Sequence, residues 1–166
     1  MVKKKKETGY GNQRDFIRLA VEDDGGFVDE LSNEVFSTFG DYGEIIPRWF
    51  VNSDVITVIY VKNGHPLGFA MLSALSGEVL AIAVIPKYQR SGIGPALLNH
   101  IEDLANKLGL GGLLLHTAKE NDVAYCFFHK AGFKVLGTQE KYYPKGQTAL
   151  IMSKAIFNNP KFRKGF

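Results

Sequence analysis

Two rhythms of apolar residues divide this chain. Ile17, Leu19 and Val21 alternate with other residues, which predicts a half-buried strand over residues 16–21, closed by Asp23, Asp24, Gly25 and Gly26. Phe27, Val28, Leu31, Val35, Phe36 and Phe39 then recur at helical spacing and stop at Gly40, predicting a helix of about three turns. A short helix around Ile45, Ile46, Trp49 and Phe50 follows, with Pro47 expected in its first turn, where proline is tolerated. From Asp54 the period shortens to that of strands: 55–61, then 67–72, joined through Asn63-Gly64, a strong hairpin signal. Residues 78–85 form a nearly unbroken apolar run, as expected of a strand covered on both faces. Helical spacing returns with Leu97, Leu98, Ile101, Leu104, Ala105 and Leu108, ending at Gly109. A buried strand over 112–116 completes a strand–helix–strand crossover, which requires the two strands to be parallel. Ala124, Phe127, Phe128 and Ala131 mark one face of a last helix, and strands over 133–143 and 147–155 close the chain around Pro144-Lys145-Gly146. The order predicts an α/β domain with a mixed, mostly antiparallel sheet of about seven strands, one parallel pair among them, and about four helices.

The joint between the 78–85 strand and the following helix carries the chemistry. Gln89-Arg90-Ser91-Gly92-Ile93-Gly94 is a glycine-rich turn opening a helix, whose first amides carry partial positive charge and point outward. Such a turn suits an anion, and it also serves as a plain structural turn. The common nucleotide motifs are not satisfied: the P-loop lysine is missing, and Leu97 stands where a dinucleotide fingerprint has its third glycine.

Composition narrows the setting. The 166 residues, 45% hydrophobic and 22% charged, suit one domain over 15–157 between a basic tail at 1–14, read as disordered, and a second tail at 158–166. A net charge of +3, concentrated in those tails, comes without a nucleic-acid-reading signature. The single Cys126 excludes an internal disulfide and reads as a small buried hydrophobe. No apolar run reaches a membrane span and Lys3 to Lys6 lack a following apolar region, so a cytoplasmic location is expected, with no membrane or nucleic-acid partner. No Cys/His/carboxylate cluster has metal-ligand spacing, and no metal is expected.

Gln-x-x-Gly-x-Gly at Gln89, Gly92 and Gly94, preceded by Ala83-Val84-x-Pro86 and followed by Ala96-Leu97-Leu98, resembles the acetyl-CoA motif of the GCN5-related N-acetyltransferases. Asn121, Ala124, Phe127, Lys130, Gly132 and Phe133 resemble the family's second block, Asn-x-x-Ala-x-x-Leu-Tyr-x-Lys-x-Gly-Phe. The resemblance spans about residues 15–155 and implies that the parallel pair splays to form the CoA cleft. It implies acetyl-CoA as donor, with the backbone of Ile82, Ala83 and Val84 pairing the pantetheine arm. The amides of Gln89, Arg90, Ser91, Gly92, Ile93 and Gly94 would cradle the pyrophosphate, with contacts from Asn121, Phe128 and Lys130 on the last helix. The amide of Val84 would serve the oxyanion. On local sequence alone Asn121 is equally a helix cap.

An ammonium must lose a proton before it can attack, so a base is required. Glu78, at the head of the cofactor strand, and His116, at the end of the next, both qualify; an imidazole titrates near the operating pH. A solvated carboxylate and a hydrogen-bonded core histidine are the plain alternatives. The tyrosine with which the family protonates the leaving thiolate is Phe128 here; Tyr142, Tyr143, Tyr125 or water are the substitutes. Lys141-Tyr142-Tyr143-Pro144 resembles the acceptor-clamping segment of the ribosomal-protein and protein N-terminal acetyltransferases, and Tyr42 is expected at the same mouth. The expected activity is acetyl transfer to a primary amine of a peptide or small molecule, by direct attack. An acyl-CoA-binding sensor or scaffold without turnover is the reading from another class. The oligomeric state, monomer or homodimer, stays open.

Overall fold

A computed structural model describes residues 14–40 and 42–156, Tyr42 and Gly43 only through their place in a helix. Both predicted tails therefore fall outside the described residues, apart from Arg14. Among the described residues, seven strands and four α-helices follow one another in the order that the hydrophobic pattern predicts: β1 (Phe16–Leu19), α1 (Gly25–Phe36), α2 (Tyr42–Phe50), β2 (Val55–Lys62), β3 (His65–Ser73), β4 (Val79–Val84), α3 (Ile93–Lys107), β5 (Gly112–Ala118), α4 (Asp122–Lys130), β6 (Lys134–Gln139) and β7 (Ala149–Ala155).

The strands form two sheets. The first has the antiparallel order β1-β2-β3-β4, the second the antiparallel order β5-β7-β6. The crossover puts β4 beside β5 as predicted, but among the described residues their parallel pairing is a single bridge, Glu78 to Leu114, beyond which the strands part. A splay of this kind leaves strand edges facing an open cleft. On one side of it α3 covers a core built on Val58, Leu72, Leu97, Leu98, Ile101 and Leu115. On the other, α1 and α2 cover Ile59, Phe69, Met71, Ala81 and Ala83, with Ile46 fully buried.

Several boundaries differ from the sequence expectation. β1 stops at Leu19 because the chain folds back: Arg18 donates to both Asp24 carboxylate oxygens at 2.6 and 2.8 Å, and the Val21 amide donates to the same carboxylate at 2.8 Å. These contacts leave Val21 exposed. α2 starts earlier than expected, so Pro47 lies past its first turn. β6 ends at Gln139 and not at residue 143; residues 140–148 are a loop. Cys126 is exposed, contrary to its reading as a buried hydrophobe.

The Arg18 guanidinium holds the Asp24 carboxyl below the usual carboxylate range, with the Val21 amide acting in the same direction and burial opposing. Asp24→Asn is expected to lower stability at neutral pH by about 1.5–3 kcal/mol, the usual worth of hydrogen bonds to a charged group. A folded-state value below the unfolded one, about 3.9, means that this contribution is complete above that pH and is lost as pH falls through the folded value. Urea unfolding of both proteins between pH 7 and pH 2 should show the gap closing on the acid side.

Candidate active site

The cleft is assembled by backbone register. β3 and β4 pair Gly68 with Val84 and Phe69 with Ala83, and the Ile85 amide donates to the Leu67 carbonyl at 2.9 Å. In an antiparallel ladder the inward and outward groups alternate, so Ala83 bonds to β3 while Ile82 and Val84 turn their amides and carbonyls toward the cleft. This corrects the expectation for Ala83, whose backbone is committed to Phe69. Further down, Met71 pairs with Ala81 and Leu72 with Val79, leaving Leu80 as a bulge that bends β4 beside the bridge to β5.

At the upper end of β4 the chain enters a short 3₁₀ turn, Pro86–Tyr88, and then the glycine turn. Gln89 Nε2 donates to the Val84 carbonyl at 3.2 Å, folding the turn back on the strand. Ser91 Oγ donates to the Tyr88 carbonyl. Gly92 has φ +90°, a left-handed conformation that glycine adopts without penalty, and among the described residues nothing beyond its chain neighbours lies within 4 Å of where its Cβ would be. It precedes α3 without any side-chain cap, and the first-turn amides lie next to open space. Arg90, Ser91 and Gly92 are exposed.

The second motif block sits beside the first. A Cβ on Gly94 would be 3.3 Å from the ring of Phe127 on α4. Asn121 caps α4, its Oδ1 accepting from the Ala124 amide at 3.1 Å, which is the plain reading of that residue. Phe128 packs edge-on against Phe127 and Phe133, with ring centroids at 4.9 and 5.6 Å, so its ring is committed to the core. Lys130 is exposed and lines a hollow between α3 and α4 with Asn99 and Phe127.

The two candidate bases, 38 residues apart in the chain, meet. His116 Nδ1 lies 2.8 Å from Glu78 Oε1, immediately above the strand bridge. An ionised carboxylate only accepts, so Nδ1 is the donor in this contact, and in the neutral ring the lone pair is then on Nε2. Neither group is sealed off: 15% of the His116 side chain and 24% of the Glu78 side chain remain accessible. Tyr142 stacks on the imidazole, with centroids 4.5 Å apart and planes 4° from parallel. Burial, and after it the Glu78 carboxylate, push the Tyr142 phenol above its ordinary value, which keeps it protonated at neutral pH.

The paired tyrosines divide their tasks. Tyr143 is buried against Phe39, Ala118 and Ala149, the packing that paired tyrosines at a strand end commonly provide. Tyr142 is the partner that reaches the site. Tyr125 stacks with His129 on α4. Tyr42's side chain lies outside what the structure describes. Sequence reasoning missed the Leu80 bulge, the Glu78–His116 contact and the Tyr142 stack; the Gly77 and Gly112 pair, whose backbones touch beside the bridge, was the available signal for the second.

The cleft thus combines an open strand edge, an uncapped glycine turn at its head and a carboxylate–imidazole pair at its foot. The chain belongs to the acetyltransferase (GNAT) family, whose model matches residues 18–133. It is 34% identical over 100 residues to the [ribosomal protein bS18]-alanine N-acetyltransferase of Escherichia coli K12, covering 57% of this chain and 68% of that one. It is 31% identical over 110 residues to N-alpha-acetyltransferase 50 of Danio rerio, covering 66% and 62%. The fold superposes on a crystal structure of the ribosomal-protein-S18-alanine N-acetyltransferase from E. coli with a TM-score of 0.77 at 24% identity, covering 92% and 99% of the two chains. It also superposes on the PaiA N-acetyltransferase from Thermoplasma acidophilum in complex with coenzyme A, with a TM-score of 0.70 at 22% identity, covering 86% and 99%.

Proposed function

We propose that the protein transfers acetyl from acetyl-CoA to the α-amine of a peptide or protein N-terminus, with His116 as general base and Glu78 as the group that orients it. The observation that carries this reading is the 2.8 Å contact between His116 Nδ1 and Glu78 at the foot of the cleft. The cleft suits the donor: Gly92 leaves room for a phosphate, the uncapped amides of α3 offer it partial positive charge, and Arg90 adds a full one. Ile82 and Val84 present the backbone edge that a pantetheine amide would pair with. Asn121, although it caps α4, keeps its amide nitrogen for that arm. Acetyl-CoA supplies an acetyl group activated as a thioester.

The residues then act in sequence. Glu78 fixes the tautomer, so His116 Nε2 takes the proton of the incoming ammonium, directly or through one water. The Val84 amide faces the cleft where it can donate to the charge developing on the carbonyl oxygen. The second proton shed by the nitrogen matches the one that the departing thiolate needs, so no residue has to supply a net proton. This accommodates Phe128 in place of a tyrosine. A thiol with a solution value of about 8.5 leaves tolerably as its anion.

The peptide acceptor draws on the two sequence relatives, one named as acting on an alanine of ribosomal protein bS18 and the other as an N-alpha-acetyltransferase. With acetyl-CoA saturating, a panel of short peptides of different first residues, the same peptides blocked at the N-terminus but containing lysine, and polyamines should separate the acceptors by thiol release and product mass. Free N-termini are expected to be acetylated and blocked ones not. Preference for lysine or polyamine overturns the acceptor; binding of acetyl-CoA without thiol release to any amine overturns catalysis and favours a sensor.

A further inference from the structure

We propose that Tyr142 is a positioning residue for His116, and that the 140–148 loop exists in part to hold it there; this rests on the reading of His116 as the base. A hydrogen bond at Nδ1 limits how far the imidazole can swing about its last side-chain bond, but it leaves the ring able to librate together with the Glu78 carboxylate. The Tyr142 ring lies face to face with the imidazole, 4.5 Å away and 4° from parallel, which restrains the remaining freedom. Ring faces this close to parallel are not enforced by electrostatics alone, since aromatic pairs also adopt tilted and edge-on arrangements.

The loop behind Tyr142 is built to fix its plane. Tyr143, buried, meets Tyr142 edge-on at 5.0 Å and 83° and lies against Phe39 at 5.9 Å. The amides of Tyr142 and Tyr143 both donate to the Gln147 carbonyl, at 3.1 and 3.3 Å, and the Gly146 amide donates back to the Tyr143 carbonyl at 2.8 Å. The closed loop is then fastened to the end of the first helical segment. Lys145 Nζ reaches the Ser37 and Thr38 carbonyls at 3.5 Å, Gln147 Nε2 donates to Thr38 at 3.4 Å, and Pro144 sits where a Cβ on Gly40 would be only 2.9 Å from its ring. A surface loop whose only duty was to touch a peptide would not need its tip locked to a turn more than a hundred residues away. The lock has a direct consequence: the imidazole plane is set before any acceptor arrives.

The test compares Tyr142→Ala with Tyr142→Phe. Long-range proton–nitrogen spectra of histidine-labelled protein report the His116 tautomer without requiring turnover, and steady-state kinetics run alongside. Tyr142→Ala is expected to broaden the His116 ring signals, as a ring free to librate would, while the Nδ1-protonated form held by Glu78 persists, and to lower kcat by about tenfold or more, the cost of misplacing a reacting group. Acetyl-CoA affinity should hold, and Tyr142→Phe should restore both signals. A Phe variant as impaired as Ala would assign the role to the hydroxyl and overturn the proposal. So would an Ala variant that raises only the KM for peptide with the His116 spectrum unchanged, which would make Tyr142 an acceptor contact alone. If His116→Phe keeps the wild-type rate, the base assignment fails; the spectra still report whether Tyr142 holds the ring.

Discussion

His116→Phe is expected to lower kcat/KM by about 10²- to 10⁴-fold, the range that a positioned general base contributes. Phenylalanine keeps a ring under Tyr142 and removes both nitrogens, so the loss reports chemistry and not packing. Glu78→Gln should cost less. The amide can still meet Nδ1 but no longer selects the Nδ1-protonated tautomer, and Nε2 then carries the lone pair for only part of the time. The acid-side limb of the pH–rate profile should vanish in His116→Phe and persist in Glu78→Gln. Calorimetry should find acetyl-CoA affinity unchanged in both, because the pair sits at the foot of β4 and the glycine turn at its head. Wild-type rates and pH dependence in both variants would remove the dyad from the mechanism.

Why the pair was invisible as a pair is instructive. Local pattern places Glu78 at the start of one apolar run and His116 at the end of another, and each is a plausible base alone. Their contact depends on how far two parallel strands stay together, a tertiary quantity that hydrophobic period does not encode. The same limit explains residues 140–148. Tyr142 and Tyr143 favour strands, so continuing β6 through them is the natural reading. The contacts that make a loop instead come from Ser37, Thr38, Phe39 and Gly40, far away in sequence.

Cys126 is a different kind of error. It shares its stripe of α4 with Asp122 and Lys130, four residues to either side, so helical period alone placed it on the polar face. Its exposure follows from its place on that face and not from the apolar character of a thiol. The elements that period does govern, α1, α3, β2, β3 and β4, came out in place, as did the glycine turn, because glycine spacing and an apolar run are local facts.

Gly77→Ala tests what joins the two halves of the site. Gly77 has φ +72°, and a Cβ there would stand 2.7 Å from the Gly112 carbonyl oxygen, a backbone atom that cannot swing aside. The left-handed conformation and the forced separation are each worth about 1–3 kcal/mol, so the urea-derived stability should fall by about 2–6 kcal/mol. That is a large share of the roughly 5–15 kcal/mol by which domains are stable. The added carbon acts at the amide-to-carbonyl bond from Leu114 to Gly77, 3.0 Å long, one residue before Glu78. Strands pushed apart there carry the Glu78 carboxylate away from His116, so turnover should fall in the protein that remains folded. Acetyl-CoA affinity, set at the other end of β4 by residues 89–94, should change much less. Stability and turnover both at wild-type values would mean that the Gly77–Gly112 approach does not seat the dyad, and that the Glu78–His116 contact is held from the side of the 140–148 loop alone.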